Sequence, residues 1–297
     1  MSDLLHTPSA VRPRLRQLIE SGRPVLAPGA YDALSARLVE AAGFGAAYMT
    51  GFGTAASLLG RPDVGLLTAT EMADNARRMA SAIDLPLIAD ADTGYGNPIN
   101  VIRTVRDYER AGVAAIQLED QVAPKRCGHM AGKAVIPVGE MVAKLEAARA
   151  ARTDPDFLII ARTDAAAVDG IGAAIDRAQR YADAGADLLF VEAPNNIDEV
   201  QEIATRLAGH RLVFNWVEGG RTPPLSRDQL AELGFALVLF PIGALLAATR
   251  SIQDFFATIM RDGTPAAAMD GLPAFDEFTG FMGLPEINEL GQRFADR

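Results

Sequence analysis

The sequence contains a single cysteine and no long hydrophobic run. One cysteine, Cys127, excludes an internal disulfide and any zinc site built from several cysteines. No apolar stretch reaches the length that a membrane span needs, although hydrophobic residues make up 49% of the chain, which is enough for a large core. The formal net charge of −10 disfavours nucleic acid and anionic membranes as partners. An anionic substrate stays compatible with this charge, because a bound metal can reverse the local field.

Three further features are missing. The segment Met1–His6 has neither a basic stretch nor the apolar core of a secretory signal, so we expect a cytoplasmic protein. No linker rich in proline, glycine or serine divides the chain, which predicts a single domain over residues 1–297. A glycine-rich dinucleotide fingerprint is absent after the first strand, and this disfavours a doubly wound open sheet.

A short apolar run, a polar turn and an amphipathic helix that ends in glycine recur along the chain. Eight apolar runs are predicted to be strands: Val25–Pro28, Ala46–Thr50, Leu85–Asp90, Ala114–Glu119, Phe157–Arg162, Asp187–Glu192, Leu212–Asn215 and Ala236–Phe240. Their continuous apolar character indicates burial on both faces, as in a parallel sheet. Eight alternating units over about 250 residues predict an α/β protein with a (β/α)8 barrel. A short helix that ends at Gly22 precedes the barrel, and a long eighth helix near Ala244–Met260 leads into an apolar tail.

Two aspartates end the third strand, where the active site of such a barrel lies. Because alternate residues of a strand share a face, Asp90 and Asp92 are predicted to point the same way, and a divalent cation would relieve their repulsion. Oxygen ligands favour Mg²⁺ or Mn²⁺. Glu119 could complete the set and Asp63 could reach the metal through water. Alternatively, one aspartate caps the next helix while the other pairs with Arg162, and Asp63 is an ordinary turn residue.

Two polar residues at other strand ends are candidates to bind a substrate carboxylate. Arg162 has a guanidinium fork that matches a carboxylate in two places, and Asn215 ends the seventh strand. For Arg162 the alternative is a structural ion pair with Glu192 or Asp164, and both roles are compatible with each other.

The turn after the second strand offers a further anion site. Thr50, Gly51 and Phe52, followed by a second glycine, can present backbone N–H groups to an oxyanion, although glycines are common in such turns for steric reasons alone. Tyr48, just before this turn, is either a core residue or a group near a substrate oxygen.

A polar loop after the fourth strand carries the cysteine. Cys127 lies among Lys125, Arg126 and His129, and positive charge favours the reactive thiolate. Gly128 loosens the backbone, so we predict a mobile loop. The alternatives are that Cys127 is an inert buried residue and that His129 only supports the loop.

The segment Lys125–His129 resembles the gating-loop signature of the carbon–carbon lyase branch of the isocitrate lyase and phosphoenolpyruvate mutase superfamily. The similarity runs roughly from Leu26 to Gly263, and mutases of this superfamily have no cysteine at that position. The resemblance implies Cys127 as the catalytic acid, a homotetramer with exchanged helices, and Mg²⁺ near the acidic strand ends. It implies Asp90, Asp92 and Glu119 for the metal, and Thr50, Gly51, Phe52, Arg162, Glu192 and Asn215 for the substrate oxygens. In the loop, Cys127, Gly128 and His129 are further candidates for substrate binding.

Within that branch the chain resembles methylisocitrate and 2,3-dimethylmalate lyases, which implies cleavage of a 2-hydroxy di- or tricarboxylic acid to pyruvate or a related 2-oxo acid and a second carboxylic acid. Tyr48 or a metal-linked carboxylate would remove the hydroxyl proton. Leu246 replaces an arginine that helps to bind a third carboxylate, Arg250 lies one turn later, and Trp216–Gly220 departs from the methylisocitrate pattern. These departures favour a smaller diacid. The alternatives are an oxaloacetate-type decarboxylase or hydrolase and, less favoured, a phosphonomutase.

Overall fold

The computed structural model describes residues 11–128, 132–220 and 222–295. In these ranges eight parallel strands close into a barrel in sequence order, and the last strand pairs with the first. The strands are β1 (Val25–Ala30), β2 (Ala47–Met49), β3 (Leu87–Asp90), β4 (Ala115–Glu119), β5 (Leu158–Thr163), β6 (Leu188–Val191), β7 (Leu212–Asn215) and β8 (Phe235–Phe240). The predicted (β/α)8 barrel is confirmed, and every strand overlaps its predicted range.

Helices precede, separate and follow the strands along the chain. They are α1 (Val11–Glu20), α2 (Ala33–Ala41), α3 (Gly51–Leu59), α4 (Ala69–Ala80), α5 (Pro98–Arg110), α6 (Val138–Ala151), α7 (Ala166–Asp169), α8 (Ile171–Asp183), α9 (Ile197–Arg206), α10 (Arg227–Glu232), α11 (Gly243–Asp262), α12 (Phe275–Phe281) and α13 (Leu284–Ala295), with a 3₁₀ helix at Ala266–Gly271. None of the helices in these ranges combines the length and the apolar character that a membrane span requires.

The structure divides into two compact units, with the boundary between Leu245 and Leu246. The first unit contains the barrel and its helices up to the start of α11. The second contains the rest of α11, the 3₁₀ helix, α12 and α13. The single domain over residues 1–297 stays a prediction.

Side chains alternate between two hydrophobic clusters along each strand. On β5, Leu158 and Ile160 belong to the cluster inside the barrel, whereas Ile159 and Ala161 belong to the cluster between the strands and the helices. This alternation is the period-two pattern of a strand that is buried on both faces. The continuous apolar runs of the sequence are explained by these two cores.

Helix α1 packs at the N-terminal end of the barrel. Its Leu15 is buried in the interior cluster, and Arg12 Nε donates to the carbonyl of Val113 at 3.0 Å. Arg16 Nε lies 2.7 Å from Asp156 Oδ1, just before β5. One end of the barrel is therefore covered, and chemistry is left to the other end.

Glycines end the recurring helices as the sequence predicts. Gly43, Gly112, Gly185 and Gly234 follow α2, α5, α8 and α10 with φ of 82°, 89°, 97° and 82°. Glycine adopts this left-handed conformation at little cost, so it terminates a helix and turns the chain toward the next strand.

Candidate active site

A cavity of about 260 Å³ opens at the C-terminal ends of the strands. Among the predicted site residues, its wall includes Tyr48, Thr50, Phe52, Asp63, Asp90, Glu119, Cys127, Gly128, Arg162, Glu192 and Asn215. Gly51 and Asp92 lie outside this wall, and His129 lies outside the described residues. The structure thus collects groups that are widely separated in sequence, at the face where barrels of this type place their chemistry.

The two aspartates come together through a turn and not through strand alternation. Strand β3 ends at Asp90, and Asp92 lies beyond it with φ of 47°, where its backbone N–H donates to Asp90 Oδ1 at 3.0 Å. Both carboxylates lie against Gly51, since a Cβ there would be 2.5 Å from Asp90 Oδ2 and 3.6 Å from Asp92 Oδ1. The predicted proximity holds, whereas the predicted reason, two side chains on one strand face, is wrong.

Burial raises the pKa of two carboxyl groups in this cluster, Asp90 and Glu119. Burial raises the pKa of Asp90, the neighbouring Asp92 raises it further, and Lys125 and Arg162 oppose the shift. Burial likewise raises the pKa of Glu119 well above its ordinary value, against the pull of Arg162. A positive charge close to these two carboxyl groups would stabilise their ionised forms.

Lys125 supplies a positive charge in this structure. Its Nζ lies 2.6 Å from Asp63 Oδ2 and 2.8 Å from Asp92 Oδ1, with a side chain only 4% exposed. Burial opposes the ammonium charge, but Asp92, Asp90 and the other carboxylates outweigh it and raise the pKa of Lys125 well above normal. Asp63 is therefore engaged in a buried ion pair, and its contact with a metal through water stays a prediction.

The donor set fits a divalent cation that keeps several waters. No three carboxylate, histidine or cysteine side chains in the described ranges converge as a ready metal cage. Glu119 Oε1 is nevertheless buried with no hydrogen-bond partner in this part of the chain, and Asp92 Oδ1 has only its ion pair with Lys125. Mg²⁺ is commonly held by one or two carboxylates together with waters and substrate oxygens. Asp90 and Asp92, with Glu119 nearby, would hold it here.

Arg162 is surrounded by carboxylates. Its Nε and Nη2 donate to Asp164 at 2.9 and 3.0 Å, while Nη1 lies 3.5 Å from Glu119 and Nη2 lies 3.6 Å from Glu192. Asn215 Nδ2 in turn donates to Glu192 Oε2 at 3.1 Å, and Asn215 Oδ1 is buried with no hydrogen-bond partner among the described residues. The structural ion pair with Asp164 is thus present, and Arg162 still faces the cavity.

The start of α3 points backbone donors at the site. Thr50 is the N-cap, and its Oγ1 accepts from Gly53 N at 3.3 Å. The first N–H groups of a helix lack partners within the helix, so those of Gly51 and Phe52 are available to an anion. The glycine-containing turn that the sequence offered as an anion site is thus the N-terminus of a nine-residue helix.

Cys127 lies at the edge of the cavity on a segment that its neighbours fix. It is partly exposed, and its backbone N–H donates to the carbonyl of Asp63 at 3.2 Å. The Gln121 side chain holds the preceding residue twice, because its Nε2 donates to Arg126 O at 2.8 Å and its Oε1 accepts from Arg126 N at 2.9 Å. Cys127 is therefore not a fully buried core residue, and its reactivity stays a prediction.

Tyr48 lies inside the barrel beneath the acidic cluster. Its hydroxyl donates to Gln117 Oε1 at 3.3 Å, and Gln117 Nε2 donates to Asp90 Oδ1 at 3.5 Å. Burial raises the pKa of Tyr48 well above normal, and Asp90 adds to the shift. Tyr48 therefore stays a neutral hydrogen-bond donor at physiological pH.

Several residues of the site were missed in the sequence. Gln117 is a polar residue within an apolar strand, which is a signal that the pattern offered. Glu218 accepts from the backbone N–H of Ile242 at 3.1 Å and lines the cavity. The side chains of all three lysines of the chain, Lys125, Lys133 and Lys144, are only 4%, 2% and 5% exposed. Lys144 donates to the carbonyl of Thr93 at 3.2 Å. Lysines are seldom buried unless they are paired, so the burial of these side chains indicates specific roles for them.

Comparison with known sequences gives consistent results. The family described as phosphoenolpyruvate phosphomutase matches residues 15–260. A 2,3-dimethylmalate lyase of Eubacterium barkeri is 47% identical over 95% of this chain and 97% of its own length. A chloroplastic carboxyvinyl-carboxyphosphonate phosphorylmutase of Arabidopsis thaliana is 46% identical over 99% and 87%. A 2-methylisocitrate lyase of Aeropyrum pernix is 44% identical over 91% and 86%.

Solved structures share the whole fold. An oxaloacetate acetylhydrolase bound to 3,3-difluorooxaloacetate superposes with a TM-score of 0.91 at 36% identity, over 98% of this chain and 99% of that one. A phosphonopyruvate hydrolase bound to oxalate and Mg²⁺ has a TM-score of 0.88 at 33% identity, over 97% and 100%. Both ligands are small carboxylic acids.

Proposed function

The chain belongs to the phosphoenolpyruvate mutase and isocitrate lyase superfamily, and we propose that it is a magnesium-dependent carbon–carbon lyase that cleaves a 2-hydroxy dicarboxylic acid. The products would be pyruvate or a related 2-oxo acid and a second carboxylic acid. The observation that carries this proposal is the position of Cys127, on the same cavity wall as Arg162 and the carboxylates of Asp90 and Glu119. Such a cleavage needs an acid, a cation site and a group that binds the substrate carboxylate. Cys127 is the acid, and Arg162 with Asn215 forms the carboxylate-binding group, which we call the carboxylate clamp.

Each group has a separate task. Asp90 and Asp92, with Glu119 nearby, would hold Mg²⁺, which would acidify the 2-hydroxyl and offset the negative charge on its oxygen as the 2-oxo acid forms. Arg162, Asn215 and the N–H groups at the start of α3 hold the carboxylate into which the electrons of the broken bond flow. Cys127 gives its proton to the carbon that was cleaved. Because burial keeps Tyr48 neutral and its hydroxyl donates to Gln117 Oε1, the carboxylates of Asp90 and Glu119 are left to accept the hydroxyl proton.

The composition of the cavity wall favours a diacid with an alkyl substituent. Phe52, Val217 and Ile242 supply apolar surface, and Glu218, which accepts from the backbone N–H of Ile242, adds a carboxylate to the same wall. In the described part of the wall the cations are Lys125, Arg126 and Arg162. Arg250, the arginine that follows Leu246 in the sequence, donates to Asp254 on its own helix at 2.9 Å. A third carboxylate would meet Glu218 and apolar side chains.

One assay tests this function directly. The enzyme and Mg²⁺ are incubated with 2,3-dimethylmalate-like diacids, methylisocitrate-like triacids, oxaloacetate and phosphonopyruvate, and the release of 2-oxo acid, oxalate and phosphate is measured. We expect 2-oxo acid from a C3-alkylated diacid. Oxalate from oxaloacetate as the dominant product would favour the hydrolase, whose scaffold the chain also shares, and turnover of none would contradict enzymatic cleavage.

The contact between Gly51 and Asp90 yields a first prediction. Gly51→Ala should lower turnover by about a hundredfold, the scale expected when a reacting group moves by about an ångström. The added Cβ would lie 2.5 Å from Asp90 Oδ2 and must displace that carboxylate. Turnover at saturating Mg²⁺ and the melting temperature are measured together.

Gly139→Ala is the matched control, because Gly139 lies in the first turn of α6 with nothing within 4 Å of an added Cβ. Its turnover should equal that of the wild type, with a slightly higher melting temperature, since alanine is favoured over glycine in a helix. Normal turnover in Gly51→Ala would show that the acidic cluster tolerates displacement.

A second prediction concerns assembly. Residues from Leu246 onward expose many large apolar side chains: Ile252, Phe256, Met260, Phe275, Ile287 and Phe294. Met260 is 90% exposed in a single chain, and an apolar surface of this extent usually meets a partner. We propose that copies of this chain assemble through it into a homotetramer, in the cytoplasm. Light scattering at micromolar concentration should give four times the mass of one chain.

Two charge substitutions distinguish this surface from ordinary exposed residues. Met260→Glu should shift the mass toward smaller species, because a charge cannot be buried unpaired at low cost. Ile99→Glu, on a residue 72% exposed at the start of α5, should leave the mass unchanged. A wild-type protein that is monomeric in this experiment refutes the assembly.

A further inference from the structure

The residue after Cys127 rests on the groups proposed to bind substrate. A Cβ at Gly128 would overlap Glu192 Oε1 and would lie 2.5 Å from Arg162 Nη2. The backbone of Gly128 therefore lies directly against the carboxylate clamp. Because Cys127 directly precedes Gly128 in the chain, the close contact at Gly128 restricts where the Cys127 backbone can lie.

Lys133 also contacts Gly128. Its Nζ donates to the carbonyl of Gly128 and forms an ion pair with Asp164 Oδ1 at 2.9 Å. Asp164 is fully buried, and its carboxylate also accepts two hydrogen bonds from Arg162. Burial opposes the charge of Asp164, but Arg162 and Lys133 outweigh it and hold its pKa below the usual value. A continuous chain of charged contacts thus joins Arg162 to the residue beside Cys127.

The burial of Lys133 shows that this arrangement is specific. Its side chain is 2% exposed and Asp164 is 0% exposed, so both charges have left water. A buried ion pair contributes little to stability on its own, and its loss of hydration is offset only by well-placed partners. A contribution to stability therefore explains the buried ion pair of Lys133 and Asp164 poorly. Fixing the position of the Gly128 carbonyl explains it better.

We propose that Lys133 is a positioning residue that couples the substrate-binding Arg162 to Cys127. Lys133 does not itself line the cavity, and it contacts the cavity wall only from behind, through Gly128. It acts by fixing the Gly128 carbonyl, so the thiol is directed at the carbon held beside Arg162. The effect on turnover rests on the proposed function, whereas the effect on the thiol itself does not.

The test compares Lys133→Met with Lys133→Arg. Methionine keeps the length and apolar stem but removes both contacts, so alkylation of Cys127 by iodoacetamide should be faster by about tenfold, as expected when a charged hydrogen bond is lost. Turnover should fall by about a hundredfold through kcat, with KM nearly unchanged, because the thiol and not the carboxylate clamp is displaced. Arginine has several donors on a side chain of similar length, so Lys133→Arg should return both the alkylation rate and kcat most of the way to the wild-type values.

Arg12→Met is the matched control. Arg12 also donates to a backbone carbonyl, that of Val113, and pairs with a carboxylate, Asp154 at 2.9 Å, but at the opposite end of the barrel. It should lower the melting temperature and leave alkylation and kcat unchanged. Wild-type alkylation and kcat in Lys133→Met, an arginine no better than methionine, or the same changes in Arg12→Met would each overturn the proposal.

Two features keep the test decisive. If Lys133→Met does not fold, Lys133→Gln replaces it, because glutamine is too short to span Gly128 and Asp164 and should give the same alkylation result. Alkylation reports on one site because Cys127 is the only cysteine. If the wild-type enzyme shows no lyase turnover, the proposed function fails, and the alkylation rates still decide whether Lys133 positions the thiol.

Discussion

Asp90→Asn should abolish magnesium-dependent turnover and leave the fold intact. The substitution keeps the shape of the side chain and its hydrogen-bond acceptor toward Asp92 N, but removes the charge that a cation needs. Without metal the carboxylate is destabilised by burial and by Asp92, so the melting temperature in EDTA should not fall. In the wild type, Mg²⁺ at about a hundred times its dissociation constant should stabilise the fold by about 2.7 kcal/mol.

The binding readout is independent of turnover. Thermal unfolding with and without Mg²⁺ should show a shift for the wild type and none for Asp90→Asn. Asp107→Asn is the control, because Asp107 lies on the outer surface of α5 beside Arg103 and should change neither turnover nor the shift. Full wild-type activity in EDTA would remove the metal from the mechanism.

Cys127→Ser should reduce turnover by at least about a hundredfold, the usual contribution of a positioned acid. Serine has nearly the same shape, but its hydroxyl is a far weaker acid than a thiol. Substrate binding should survive, because Arg162, Asn215 and the start of α3 are unchanged. The melting temperature should be close to that of the wild type, since Cys127 is partly exposed and fills no core position.

Alkylation provides the complementary experiment. Modification of Cys127 should inactivate the wild type, and bound substrate or product should slow it. A structural cysteine would behave oppositely, with resistance to alkylation and a loss of stability in Cys127→Ser. Near-normal turnover in that variant would remove the proton-donor role and, with it, the main reason to choose a lyase over a decarboxylase.

The sequence predicted the barrel and most of the cavity wall because both follow from local patterns. Continuous apolar runs marked the strands, and the first polar residue after each run marked the C-terminal face. Glu119, Arg162 and Asn215 were found in this way, and each lies at the end of its strand. One property of parallel barrels, that all strands end at the same face, brought these distant residues together.

The remaining features depend on tertiary contacts that no local pattern encodes. The turn that brings Asp92 beside Asp90 requires a left-handed residue, which aspartate adopts more often than most residues but not predictably. Lys133 meets Asp164 across 31 residues of sequence, and Lys125 meets Asp63 across 62. A lysine in a polar loop gives the same local signal whether it faces water or a buried carboxylate.

The burial of all three lysines has a practical consequence. Surface cations in the described part of the chain are arginines, so reagents that target primary amines find little to modify apart from the terminal amine. Coupling to a sensor surface through amines, or cross-linking of subunits by amine-reactive bifunctional reagents, would reach lysines only by disturbing the cavity or its supports. Attachment through an added tag leaves Lys125 and Lys133 with their carboxylate partners.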